Sequence, residues 1–304
     1  MQRRSFIQTA AWGAVAVSVS GFVRFDGKSY VGDCETTSDI IGPFYRPDSP
    51  VRNNLIIKDD PGTPVELSGF IKHNDCLTPY QKAKIELWHC DSKGVYDNTS
   101  PEYRHRGTSY SDESGHYHFD TILPVPYDVG GTKRPAHFHL MITAAGYMPL
   151  VTQLYFTGDP WISKDPSSRS PAAKKRILEV QTAQDGRKKV VYDVILAEKL
   201  AVESASLDRL TGSYVCEKDK TITCEFFKRN HTLWYNASYG KKLDPYGMDL
   251  EFVGNNTFRS PSLPSDIRNE FVFEVLNTGA IKCTEKYLGD FGQSGEIVFL
   301  KVSV

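Results

Sequence analysis

The chain has 304 residues, with 36 Lys and Arg against 37 Asp and Glu and a formal net charge of -1. That balance gives no electrostatic ground for binding nucleic acid or an anionic membrane surface. With 40% hydrophobic and 24% charged residues the composition is globular, and the length suffices for two domains of ordinary size.

The N-terminus, MQRRSFIQTAAWGAVAVSVSGF, sets Arg3 and Arg4 before an apolar run from about Ala10 to Val19. The run is too short to span a bilayer as a mature helix and reads as an export signal. Arg3-Arg4 followed by Ser5-Phe6-Ile7 is similar to a twin-arginine signal, a route that carries folded proteins. Residues 1–30 are therefore expected to send the chain to the periplasm or the exterior, with no membrane span in the mature protein. None of the six cysteines forms a C-x-x-C pair, which disfavours a zinc knuckle. Disulfides form in exported chains. The preferred bridge is Cys34 with Cys76, tying an N-terminal arm to the body.

From Val65 the chain reads as short strands and turns. VELSGFI is strand-like, LTPYQK is a loop around Pro79, and AKIELWHC alternates and is rich in β formers. SDESGHYHFDTIL turns at Gly115 and continues as a strand. PVPYDVGGTKRP is a Pro/Gly loop, and AHFHLMIT and LVTQLYF follow as strands. Ser167 to Ala183 is a polar excursion with a short helix at PAAKKRILEV, and KKVVYDVILAEKL closes the run as one strand. Strands at this spacing, with no helices alternating between them, predict an all-β fold with a β-sandwich over 31–200. After a linker from about Glu198 to Leu207, eight strand candidates from TGSYVCE to EIVFLKV predict a small all-β, barrel-like domain over 207–304. There Trp234, Tyr235 and Tyr239 either form a binding face or fill a small core.

The chemistry concentrates at RPAHFHL. On a strand His137 and His139 point to the same face, and imidazoles two residues apart can reach one metal ion. The same spacing is equally that of a solvent-facing strand. GHYHF carries a second such pair, His116 and His118, and alternation does not separate the two, because both oppose an apolar set. Neighbouring loops add Tyr96, after the Gly turn of KGVYDN, and Tyr127 in PVPY. Two phenols with two imidazoles suit Fe(III), since phenolate is a hard anionic oxygen donor and the metal lowers the phenol pKa. Zinc prefers His, Cys and carboxylate.

The segments IIGPFYRPDSP, AKIELWHCDSKGVYDN, GHYHFDTILPVPY, RPAHFHL and TQLYFTGDP, in that order, resemble the intradiol ring-cleaving dioxygenases, the family of the catechol and protocatechuate 3,4-dioxygenases. The likeness runs from about Ser38 to Lys199. It implies a prealbumin-like sandwich and one non-haem Fe(III) per chain, held by Tyr96, Tyr127, His137 and His139. Tyr127 would be the axial tyrosinate that leaves when substrate binds. Arg134 would be the active-site arginine that stabilises negative charge on the substrate, and Gln153 a glutamine lining the same pocket. The implied substrates are a catechol-type aromatic and O2, and the implied product is a cis,cis-muconate. A homo-oligomer stays open. His116, His118 and His89 match no ligand, Trp88 reads as core, and Phe44 and Tyr45 read as packing the arm over the sandwich.

The chain departs from the family in three places. It lacks the long helical N-terminal segment of the catechol 1,2-dioxygenases. Asp128 and Val129 stand where some protocatechuate enzymes carry a tryptophan, which puts a carboxylated substrate in question, with Lys133 the residue to meet such a carboxylate. The C-terminal domain is outside the usual architecture. Two rival readings remain. A non-catalytic prealbumin-like binding or cell-surface module shares runs such as AKIELWHCD, but has no reason to hold all four of Tyr96, Tyr127, His137 and His139. A zinc protein lacks a third zinc-type ligand nearby.

Overall fold

The computed structural model describes residues 23–25, 30–32, 34–58, 60–229, 232–239, 248–260, 268–288 and 293–302. Most of the expected export signal, residues 1–22 and 26–29, lies outside them. Strands β1 (Val23–Phe25) and β2 (Tyr30–Gly32) form a two-stranded antiparallel ladder. The body then runs β3 (Pro64–Lys72), β4 (Lys84–Trp88), β5 (Arg106–Tyr110), β6 (His116–Ile122), β7 (Tyr127–Val129), β8 (Thr132–Arg134), β9 (His137–Thr143) and β10 (Leu150–Phe156). A 3-10 helix at Pro171–Arg176 precedes β11 (Ile177–Leu178), β12 (Gln181–Thr182), β13 (Lys188–Val191) and β14 (Val194–Ile195). Helix α1 (Ser204–Leu210) leads into β15 (Gly212–Cys216), β16 (Ile222–Arg229), β17 (Thr232–Tyr239), β18 (Met248–Gly254), β19 (Thr257–Arg259), β20 (Arg268–Val275), β21 (Ile281–Leu288) and β22 (Ser294–Lys301).

The expected all-β sandwich and barrel are both present. One sheet runs β11-β10-β9-β4-β5; the other runs β12-β13-β3-β14, with β6 also paired to β3. Alternating residues from the two inner faces, among them Leu67, Ile71, Ile85, Leu87, Phe119, Phe138, Leu140, Ile142 and Leu154, interdigitate as one core. Strands β15 to β22 close into a barrel around Tyr214, Phe226, Tyr235, Phe271, Phe273 and Phe299. Cys34 is bridged to Cys76, as expected, while Cys90, Cys216, Cys224 and Cys283 are buried free thiols.

Several elements differ from the sequence reading. The Pro/Gly loop before His137 contains the hairpin β7–β8. RGTSY, not foreseen as a strand, is β5. KKVVYDVILAEKL breaks into β13 and β14, both parallel to β3. At the break the Asp193 carboxylate takes over the ladder, accepting from the Phe70 N–H at 3.0 Å and from Lys72 Nζ at 2.7 Å. The short helix is 3-10 and ends at Arg176. Helix α1 stands where a plain linker was expected. Trp234 and Tyr235 do not share a face: Tyr235 points into the barrel, so alternation sends Trp234 to the outside. The side chain of Tyr239 lies outside the described residues.

Candidate active site

On β9 the period-two alternation sends Phe138, Leu140 and Ile142 into the sandwich core and His137 and His139 to the opposite face. Register extends that face: His139 lies opposite Trp88 on β4 and Gln153 on β10, and His137 lies opposite Tyr155. All five are buried, because this second face is covered in turn. The N-terminal arm lays Ile41, Phe44 and Tyr45 over Trp88, Cys90, Tyr96 and Tyr127 as a separate apolar cluster. Phe44 stacks on Tyr96 with centroids 4.5 Å apart, and Tyr45 meets Trp88 edge-on at 5.1 Å. The Trp88 ring in turn lies parallel to His139 at 4.8 Å.

The two tyrosines come from loops held close to each other. The Asp91 carboxylate accepts from the N–H groups of Lys93 and Val95 at 2.8 and 2.9 Å, which sets the turn before Tyr96. Gly94 sits in this turn at φ 81°, and a Cβ there would stand 2.9 Å from Tyr127 Cβ. Only glycine takes that backbone conformation and that approach without strain. Tyr127 opens β7 and pairs directly with Arg134 on β8, so the hairpin places phenol and guanidinium side by side.

Four donor atoms converge. His137 Nε2 and His139 Nε2 are 3.1 Å apart, Tyr127 Oη is 3.3 Å from His137 Nε2, and Tyr96 Oη is 3.4 Å from Tyr127 Oη. Nδ1 of His137 donates to the Pro135 carbonyl at 2.7 Å, which leaves its Nε2 lone pair facing the cluster. Burial holds both imidazoles well below the usual histidine range, followed by the Arg134 charge at His137 and by His137 and then Arg134 at His139, so they stay neutral and able to ligate. Burial also pushes the Tyr96 phenol well above its usual range and raises that of Tyr127. The dry setting thus disfavours phenolates unless a cation lies among them.

Arg134 is mostly buried. Its Nε lies 2.5 Å from Asp165 Oδ1, an ion pair out of line for a hydrogen bond, and its Nη2 donates to Gln153 Oε1 at 2.9 Å. Burial is the largest influence and opposes its charge, but Asp165 together with Tyr155, Tyr127 and Asp39 outweighs it and raises the pKa. Gln153 Nε2 donates to the Ile40 carbonyl at 2.7 Å, and the Tyr155 hydroxyl lies 2.9 Å from Gln153 Oε1 and 3.0 Å from Asp39 Oδ2. Behind them Asp39 and Arg176 form a fully buried ion pair at 2.5 Å. Sequence reasoning missed Asp39, Tyr155, Asp165 and Arg176. Tyr155 could have been found, since TQLYF puts it on the Gln153 face; the other three carry no spacing signal.

The remaining candidates fall elsewhere. His116 and His118 sit on β6 in the other sheet and face out from the opposite side of the sandwich, where His118 Nε2 lies 2.6 Å from Asn53 Nδ2. His89 is satisfied by the Cys90 carbonyl and Thr121 Oγ1, both at 2.7 Å. Lys133 is half-buried, paired with Asp128 at 3.3 Å and 5.6 Å from the Trp161 ring centroid.

Residues 40–198 match the family model described as "Dioxygenase", just over half of the chain. The chain belongs to the intradiol dioxygenase family. A chlorocatechol 1,2-dioxygenase of Rhodococcus opacus is 35% identical over 167 residues, covering 47% of this chain and 65% of the relative. A catechol 1,2-dioxygenase of Candida albicans is 30% identical over 199 residues, covering 56% of this chain and 65% of the relative. The chain thus spans somewhat under two thirds of the length of these family members. A solved mutant of the Acinetobacter radioresistens catechol 1,2 dioxygenase shares the sandwich fold, with TM-score 0.50, 22% identity, and coverage of 56% of this chain and 65% of that one.

Proposed function

We propose that this family member is a non-haem Fe(III) intradiol dioxygenase, which inserts O2 between the two hydroxylated carbons of a catechol-type aromatic and yields a cis,cis-muconate. The observation that carries the reading is the convergence of two neutral imidazoles and two phenols on one buried point. Donor separations of 3.1 to 3.4 Å are close to the edges of a coordination polyhedron with bonds of roughly 2.1 Å. His139 Nδ1 is buried without a hydrogen-bond partner among the described residues; a metal bound at Nε2 would leave the ring proton there. Thiolate and carboxylate are missing from this donor set, which favours ferric iron over zinc.

Tyr96, Tyr127, His137 and His139 would hold the ion. Ferric iron bound there would draw electron density from a chelated catecholate and open its ring to O2. With the ion bound, Tyr127 Oη would be held as phenolate and would be the base for one catechol proton. Arg134 places N–H donors beside Tyr127, where they stabilise negative charge on the substrate oxygens in a water-poor setting. Ile41, Phe44 and Trp88 exclude water and present apolar surface to an aromatic ring.

The test is direct. The purified protein is expected to be red-brown, to contain about one ferric ion per chain, and to consume O2 with catechol, protocatechuate or hydroxyquinol. Colourless, iron-free protein inert to all three would favour the binding-module reading. We further propose that the chain is exported through its twin-arginine-like signal; the Cys34–Cys76 bridge supports an oxidising compartment. Cell fractionation of an Arg3→Lys, Arg4→Lys variant that leaves the protein outside the cytoplasm as before would refute that route.

A further inference from the structure

We infer that Asp165 is the positioning residue that aims Arg134 across the phenol–imidazole cluster, with Gln153 as a strut to the same guanidinium rather than a contact to substrate. The inference rests on the proposed dioxygenase reading and adds to it the device that orients its arginine.

A guanidinium on a long side chain is a useful anion binder only when its fork is held in one plane. The hairpin β7–β8 brings Arg134 to Tyr127 but does not set the direction of its head. Two acceptors do. Asp165 Oδ1 lies 2.5 Å from Nε, and Gln153 Oε1 accepts from Nη2 at 2.9 Å. Both occupy the same lateral edge of the fork. The outer edge keeps Nη1, which has no protein acceptor among the described residues, and it is left to meet an anionic oxygen.

Asp165 is itself fixed before it meets the arginine. It is 1% exposed, and its Oδ2 accepts from the Ser168 N–H at 2.8 Å. Its backbone carbonyl accepts from the Arg169 N–H at 3.0 Å. Gln153 is equally committed: Nε2 is used by the Ile40 carbonyl, and Oε1 by Arg134 and Tyr155. A glutamine whose oxygen and one of its two N–H groups are so engaged braces its neighbours. The carboxylate also balances the guanidinium charge, so the pair presents donors without leaving an uncompensated buried cation.

The test is a double-mutant cycle with catechol as probe, titrated under argon so that no turnover occurs, and followed by calorimetry and by the visible band. Asp165→Asn should weaken catechol binding roughly tenfold or more and raise KM in air to match, with kcat changed by less than about threefold. Iron content and the resting spectrum should stay as in wild type. In an Arg134→Met background Asp165→Asn should add nothing, because it acts through Arg134. Should Asp165→Asn fail to fold, Arg134→Lys serves instead. A lysine cannot meet both acceptors along one edge, so KM should rise in the same way. Unchanged catechol binding in a folded Asp165→Asn or Arg134→Lys protein, or an equal Asp165→Asn effect in both backgrounds, overturns the inference alone. A wild-type protein without iron or activity overturns the functional reading and this inference with it.

Discussion

His137 and His139 share their spacing with His116 and His118, and the difference between the pairs lies in what covers them. The first pair is sealed under the arm and faces two phenols; the second is half-buried on the far side of the sandwich. His139→Ala is therefore expected to lose iron measured by elemental analysis, while His118→Ala keeps it; equal behaviour would undo the choice between them. Tyr127→Phe removes one phenolate oxygen, and should weaken the visible tyrosinate-to-iron band and slow turnover. An unchanged spectrum would speak against Tyr127 as a ligand. The four donors could be read from the sequence because family motifs surround them. Asp39, Asp165 and Arg176 could not, since a charged residue outside the strands shows no sign of burial until distant segments close on it. His89 adds a pH dependence. Burial, reinforced by His105, pushes its imidazole down to about 3, against 6.5 when free. Between those values the unfolded chain holds the extra proton, so stability is full above about 6.5 and falls as pH drops toward about 3. The slope is at most about 1.4 kcal/mol per pH unit. Thermal unfolding between about pH 7 and pH 5 should show a shallower loss in His89→Gln than in wild type.

At the scale of elements, strands with clear alternation were legible and irregular ones were not. AHFHLMIT and LVTQLYF declare themselves by β-branched and aromatic residues. β7 and β8 are three residues each and lie among Pro124, Pro126, Gly130, Gly131 and Pro135, whose turn signals mask a hairpin. Yet that hairpin joins Tyr127 to Arg134. KKVVYDVILAEKL looks continuous because nothing in its composition announces that Asp193 will replace a backbone partner. The arm was expected to be tied down by Cys34–Cys76, and it is, across a sequence separation of 42. Cys34→Ser is expected to cost about 2–4 kcal/mol, mainly by freeing the unfolded chain. Denaturant unfolding of variant and wild type under oxidising conditions measures it, and equal midpoints would mean the bridge does not restrain the arm.

For the molecule as a whole, both all-β units were readable because strand spacing and turn chemistry agree over long stretches. The sandwich and the barrel have separate apolar cores. Phe271, fully buried and 4.4 Å from the Tyr235 ring centroid, belongs to the barrel alone. Phe271→Ala should cost about 3–5 kcal/mol there. Calorimetry should show a transition moved down in temperature, while the visible band of the site persists beyond it; loss of colour in step with the barrel would show the two cores to be coupled.

The buried pair of Asp39 and Arg176 spans 137 residues of chain. It closes the arm over donors that themselves come from positions 96, 127, 137 and 139. Contacts of such long range are entropically costly to bring together and form late in folding. The candidate pocket therefore has no wholly local precursor: its cover depends on contacts between segments far apart in the chain. For an ion of the kind proposed, docking of the arm is then the step that closes access to the donors.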